Sequence, residues 1–313
     1  MDETLSLLLA GILTFVFGWN NSSILIGNQR GSGTLTGRQS ILLCSIGMAL
    51  GVVVEGYQMH GSLERMISGQ STDPVTLTTL AVSIVLTFVL SVAAIPVAFS
   101  NTMVGAFLGA ALASAMAFRG AQVATVIVFW AGAPLATMAV TFIAYKAIAR
   151  ATANYSLLGV DAFNRAGVMI VSLALAYVLS ANNIGLFYGT AFSNGGSPGG
   201  ELPTVLALAA TAIISMALFG RGNVAGTVGD RLLSLSPQGV LAAFTGTIVM
   251  MWIATLFSIP ISITQCLIGG MFGAAFTKRV SIINRRLALE VVASWVVVPA
   301  VAFVVAAAVV PLL

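Results

Sequence analysis

Charge is what this sequence has least of. Among its 313 residues there are 13 Lys+Arg and 9 Asp+Glu, 7% in all, where a soluble domain carries roughly 25%. So few charges cannot build a water-facing surface, which excludes a soluble enzyme, a nucleic-acid binder and a secreted disulfide scaffold. The net charge of +4 does not point to nucleic acid, because the basic residues lie in short loops between apolar stretches. Histidine occurs once, at His60, close to a segment end, where an interfacial place is expected rather than a relay. There is no H-E-x-x-H motif and no pair of intramembrane carboxylates, so neither metal nor hydrolytic chemistry has support, and no cofactor is expected. The two cysteines, Cys44 and Cys266, both stand inside apolar stretches and read as buried small hydrophobes rather than a disulfide. Asp2 and Glu3 are acidic where a signal peptide would be basic, so the first apolar stretch is expected to remain as a membrane helix.

What the chain has in abundance is apolar length. Hydrophobic residues make up 58% and the mean hydropathy is +1.04. A membrane helix needs about 20 apolar residues, and ten segments qualify: 5–28, 39–59, 75–94, 95–117, 121–146, 166–190, 203–220, 238–258, 259–277 and 288–312. Pro96 and Pro260 each interrupt a long apolar run and mark a turn, a kink or a broken helix. Orientation follows from the positive-inside rule. With the N-terminus outside, the inside connections hold Arg30, Arg38, Lys146, Arg150, Arg165, Arg221, Arg231, Lys278, Arg279, Arg285 and Arg286, and only Arg65 and Arg119 fall outside. Both termini are therefore expected outside the cell membrane.

The two halves resemble each other. IPVAFSNTMVGAFLGAALA (95–113) aligns with IPISITQCLIGGMFGAAFT (259–277). Asn20-Asn21 is matched by Asn182-Asn183, Trp130 and Pro134 by Trp295 and Pro299, and Glu64-Arg65 by Asp230-Arg231, all at nearly one offset. Five segments per half make the second half enter from the opposite side. The fold class expected is an all-α polytopic membrane protein of about ten segments in two inverted-topology repeats, with broken or re-entrant helices at the midplane. The first repeat is placed at 1–150, an inside connecting loop at 151–165 and the second repeat at 166–313. Secondary transporters are commonly built this way, with substrate held where helices are broken.

The polar interruptions are therefore the candidate site. Asn20 and Asn21 lie in Gly18–Ser23, and Asn182 and Asn183 in Ser180–Gly185. Unpaired amides in lipid cost several kcal/mol each, so both pairs should face a protein interior, either as interhelical bonds or as a binding site. The second pair of interruptions runs from Pro96 through Ser100, Asn101 and Thr102, and from Pro260 through Ser262, Thr264 and Gln265. Proline followed by hydroxyls suits a helix start, whose free N–H groups attract anions; ordinary capping is the simpler alternative. Gly105 and Gly109, matched by Gly269 and Gly273, read as packing stripes. Glu55 is the one acidic residue within an apolar stretch, which makes it a candidate proton carrier or a structural carboxylate paired with Arg221.

These residues resemble the inorganic phosphate transporter (PiT) family, which includes sulfate permeases. Its G-x-N-D-x-A-N-x-x-G-T signature is approximated from Gly18 to Gly27 and again from Asn182 to Thr190. Its P-V-S-T-T-H-x-x-x-G element is approximated by Pro96–Gly105 and Pro260–Gly269, and its T-V-G element by Thr227–Gly229. The resemblance implies an oxyanion permease, with a homodimer as a further implication. The departures concern charge. The motif aspartate is Asn21 and Asn183, its second asparagine is Ile24 and Leu186, and its histidine is Asn101 and Gln265. In the family the aspartates are implied sodium ligands, and neutral amides are weaker substitutes for a hard cation. The reading from sequence is therefore a proton-coupled rather than sodium-coupled carrier of a tetrahedral oxyanion. Sulfate stands slightly ahead of phosphate, because the candidate site offers donors and neutral amides but no carboxylate to accept a phosphate proton. The rivals are a drug/metabolite-type transporter of a small organic solute and a passive anion channel.

Overall fold

Every backbone polar group in a bilayer has to bond within the protein, which for this composition means helices. The computed structural model describes residues 3–93, 98–192, 202–219, 235–278 and 285–312. Among the described residues ten long helices carry the fold: α1 Glu3–Ser22, α2 Gly37–Glu55, α3 Asp73–Val92, α4 Phe99–Ala113, α5 Gly120–Ala151, α6 Leu157–Ala191, α7 Leu202–Phe219, α8 Pro237–Leu256, α9 Ile263–Lys278 and α10 Arg285–Val309. Among the described residues eight apolar spans are long enough to cross a membrane, while Phe99–Ala113 and Ile263–Thr277 are shorter apolar helices. At 1.5 Å per residue the 15 residues of α4 reach roughly 22 Å, short of a bilayer core of about 30 Å. Among the described residues the only bridge between extended segments is the isolated pair Ile67 and Phe118.

Local sequence sets the helix ends. Thr36 and Gln39 form a reciprocal capping box at the start of α2. Ser156 caps α6 through the N–H of Gly159, and Ser236 caps α8 through the N–H of Gly239 with Pro237 in the first turn. Because Ser156 is a cap, the connecting loop expected over 151–165 is mostly helix, and only Thr152–Ser156 lies between α5 and α6. α1 does not end at Ser22. It passes into a π-helical turn over Ser23–Gly27 and closes with Asn28–Gly31.

Helices α3 and α4 form one hairpin, and α8 and α9 a second. The open end of the first hairpin lies at the start of α5, where Arg119 N–H donates to Met66 O at 2.8 Å and Ser68 N–H to Ala117 O at 2.8 Å. The open end of the second lies at the far end of α5, where Gln238 Nε2 donates to Tyr145 O at 3.4 Å. The hairpins thus point at each other from opposite ends of one long helix, and their tips meet. Packing crosses between the two halves of the chain: α1 lies on α7, α2 on α6, α4 on α10 and α5 on α9. The glycine stripes make this possible. A Cβ on Gly105 or Gly109 would overlap the carbonyls of Pro299 and Phe303 in α10, and one on Gly269 or Gly273 those of Pro134 and Met138 in α5. The stripes are packing surfaces, as their spacing predicts.

Candidate functional site

The two hairpin tips meet α1 and α6 at the asparagine pairs. Asn20, Asn21, Asn182, Asn183, Ser100, Asn101, Thr102, Ser262, Thr264 and Gln265 are all at most 2% exposed. Asn20 Nδ2 donates to Ser91 Oγ at 2.9 Å, and that hydroxyl donates onward to Thr87 O at 2.7 Å. In the second half Asn182 Nδ2 donates to Thr255 Oγ1 at 3.1 Å, and Thr255 Oγ1 donates to Met251 O at 2.9 Å. Ser91 and Thr255 each stand five positions before the hairpin proline, so the same bond is built twice. Asn182 also reaches Ile259 O at 3.2 Å. It thereby spans Ser258, whose φ of 55° is left-handed and strained for a non-glycine residue. One amide holds the turn of the second hairpin.

The tips themselves touch. Ser100 Oγ lies 2.8 Å from Asn183 Oδ1 and 2.9 Å from Ile261 O, so one hydroxyl proton serves two acceptors, one on α6 and one on the opposite tip. Trp130 Nε1 on α5 donates to Pro260 O at 3.0 Å and pins that tip from behind. An aromatic trio closes the other side: Phe17 meets Phe99 at 5.1 Å and Phe187 at 5.2 Å, both edge-to-face. Ser262 keeps to its own helix, where its Oγ accepts from Gln265 N–H at 3.4 Å. Thr102 Oγ1 likewise donates to Ala98 O at 3.1 Å.

The sequence offers donors and neutral amides here, and the orientation of the amides turns mostly oxygen toward the site. A carbonyl can only accept, so the bonds Asn21 Nδ2 to Phe17 O at 3.0 Å and Asn183 Nδ2 to Leu179 O at 3.2 Å turn the nitrogens away from the site. The nitrogen of Asn182 is engaged as well. What remains without a partner is mostly oxygen: Asn21 Oδ1, Asn182 Oδ1, Gln265 Oε1, and both ends of the Asn101 amide. Buried polar groups normally have partners, and a concentration of unsatisfied amide oxygens marks a place that takes a hydrogen-bond donor or a cation.

Glu55 takes no part in this cluster. It is the last residue of α2, and its Oε1 accepts from Trp252 Nε1 at 3.2 Å. Trp252 is 47% exposed, while Glu55 Oε2 is buried and has no partner. Its suggested partner Arg221 lies outside the described residues, as do Pro96 and Thr227–Gly229. Ser91, Thr255, the aromatic trio and the carbonyls of Ile259 and Ile261 were not marked by the sequence pattern. The signal that would have found Ser91 and Thr255 is their shared distance to the two prolines.

Opposed helical hairpins meeting at buried polar groups inside a polytopic membrane protein define a transporter, not an enzyme. The phosphate transporter family model matches residues 17–188 and 201–313. The chain belongs to the phosphate transporter family. It is 20% identical to a phosphate permease homologue of Methanocaldococcus jannaschii over 96% of this chain and 94% of that one. It is 23% identical to the sulfate permease CysP of Bacillus subtilis over 93% of this chain and 84% of the relative. A solved structure of a sodium-dependent phosphate transporter shares its fold, with a TM-score of 0.82 at 17% identity and 98% of both chains covered.

Proposed function

We propose that this chain is a secondary transporter of inorganic phosphate in the cell membrane. Residues 1–150 and 166–313 are read as inverted repeats, with both termini outside. Each half supplies one asparagine pair and one hairpin tip. The observation that carries the reading is the set of buried amide oxygens without partners at the meeting of the two tips. Phosphate keeps a proton near neutral pH and can donate it to such an oxygen, whereas sulfate has none to give. This reverses the preference for sulfate drawn from sequence. The sulfate permease relative keeps sulfate as the second substrate to test.

The same oxygens bear on the coupling ion. A hard cation takes amide carbonyls as ligands, and the solved relative in fold is named for its dependence on sodium. Sodium is therefore the coupling ion of this reading. Proton coupling through Glu55 has less support, because Glu55 bonds to Trp252 and not to the asparagine cluster. The burial of every site residue corresponds to a state closed to both faces, as alternating access requires. The decisive experiment is uptake of labelled phosphate into proteoliposomes of the purified protein, with sodium and pH gradients imposed separately and unlabelled sulfate as competitor. Sodium-driven, saturable accumulation is expected. Uptake that ignores the sodium gradient and follows the pH gradient overturns the coupling, and a flux that never saturates overturns the carrier in favour of a channel.

A further inference from the structure

A second polar site stands apart from the asparagine cluster. At the open end of the first hairpin, the segment after α2 folds over the end of α6 and leaves a small, partly open cavity with about 10 Å³ of room for the centre of a water-sized sphere. Its oxygen-bearing lining residues are Ser62, Glu64, Ser71 and Thr190, and Phe107 of α4 closes one wall. Glu64 is held in place, since its Oε1 accepts from Ser71 Oγ at 3.0 Å. The segment is also held to the connection between α4 and α5, where Ser68 N–H donates to Ala117 O and Met66 O accepts from Arg119 N–H. Ser62 is 3% exposed and its Oγ has no partner. A hydroxyl buried beside a carboxylate and left unbonded is costly unless something occupies the cavity.

We propose that this cavity is a binding site for a monovalent cation, sodium above all, distinct from the site between the hairpin tips. Its described polar side chains offer oxygen, and no lysine, arginine or histidine is among the described residues that line it. An anion there would meet the Glu64 carboxylate at close range without a compensating cation. A hard monovalent cation needs what the cavity has, one formal negative charge and several neutral oxygens. A divalent ion would call for more carboxylates. Thr190 lies two helical turns beyond Asn183 on α6, and Phe107 about two turns beyond Ser100 on α4, so a cation held here sits roughly 10 Å along these helices from the asparagine cluster.

The test reads cation binding with no substrate present, so it stands apart from the proposed transport reaction. Radioactive sodium is titrated onto the detergent-purified full chain in phosphate-free buffer, with choline as the balancing cation. Glu64→Gln is expected to raise the half-saturating sodium concentration of one site by about tenfold or more, and Ser62→Ala by about threefold. Glu64→Asp should recover part of the loss, and unchanged melting temperatures show that the variants are folded. Sodium binding in folded Glu64→Gln equal to that of the unmodified chain overturns the site. So does displacement of the bound ion by phosphate or sulfate in competition for the same cavity. Sodium-independent phosphate uptake together with a Glu64-dependent binding isotherm would remove the proposed coupling and leave this site standing.

Discussion

The two asparagine pairs occupy matching places in the chain, yet their surroundings differ. In the second half α6 runs unbroken as an α-helix through Asn182 and Asn183, and Asn183 Oδ1 accepts from Ser100. In the first half α1 passes into a π-helical turn directly after Ser22, and Asn21 Oδ1 has no partner. A π-turn inserts an extra residue into the helical register and is frequent at functional sites. The shared bond, asparagine to the hydroxyl before the hairpin proline, is what both halves keep. The difference lies in the second asparagine, latched in one half and open in the other. The two matching stretches therefore share one bond and differ in the second asparagine, and in the proposed transport cycle alternating access exchanges that inequality.

Substitutions in pairs can break or sharpen this comparison. The largest effect is expected from Gly105→Val and Gly269→Val, since each new side chain would overlap a proline carbonyl on the opposite half. Each should cost about 3 kcal/mol or more. Loss of the monodisperse protein in both variants, read by size-exclusion chromatography, is the expected result; a folded Gly269→Val beside an unfolded Gly105→Val would show that the two contacts are not equivalent. Next is Ser100→Ala, which removes the donor shared by Asn183 and Ile261 and should lower phosphate uptake by about tenfold to hundredfold. Ser262→Ala, at the corresponding tip, removes only a helix cap and should stay within about threefold. Equal losses in these two variants would contradict the unequal half-sites.

Smaller and symmetric effects are expected from Ser91→Ala and Thr255→Val, each losing one buried amide–hydroxyl bond and about 1 kcal/mol of thermal stability. A melting-temperature difference between these two variants would show that the shared bond is not equally important in each half. The smallest effect belongs to Glu55→Gln, which should leave sodium-driven uptake within about twofold, because its partner Trp252 belongs to neither half-site. A complete loss of uptake in this variant would restore Glu55 to the transport cycle.

Ten apolar segments, two of them interrupted by Pro96 and Pro260, were readable from residue type alone, because lipid allows few alternatives to a helix. The glycine stripes were readable for the same reason: small residues at helical spacing have one common use in a membrane. Ser91 and Thr255 were not, since a lone hydroxyl in an apolar run can simply bond the carbonyl one turn back, and both also do so. Nor could residue type say which end of an amide faces the site. That was decided by the carbonyls of Phe17, Leu179 and Ile259, whose places depend on the fold. Sequence could not say that Glu55 stands apart from the asparagine cluster, because apolar neighbours do not tell which side of a helix a carboxylate occupies. The unpartnered oxygens that now favour phosphate were therefore invisible until the helices were assembled.

The crossed packing of the halves has a consequence for how the chain is made. The glycine stripe of α4 closes on Pro299 and Phe303, which belong to α10 and are synthesised long after it. The hairpin of the first half therefore enters the membrane with one face unfilled and waits there through the insertion of α5 to α9. Contacts of such long separation in sequence form late and slowly. A chain that stops before α10 should leave that glycine face bare, open to the wrong helix or to a quality-control protease, although every residue of its first half is correct.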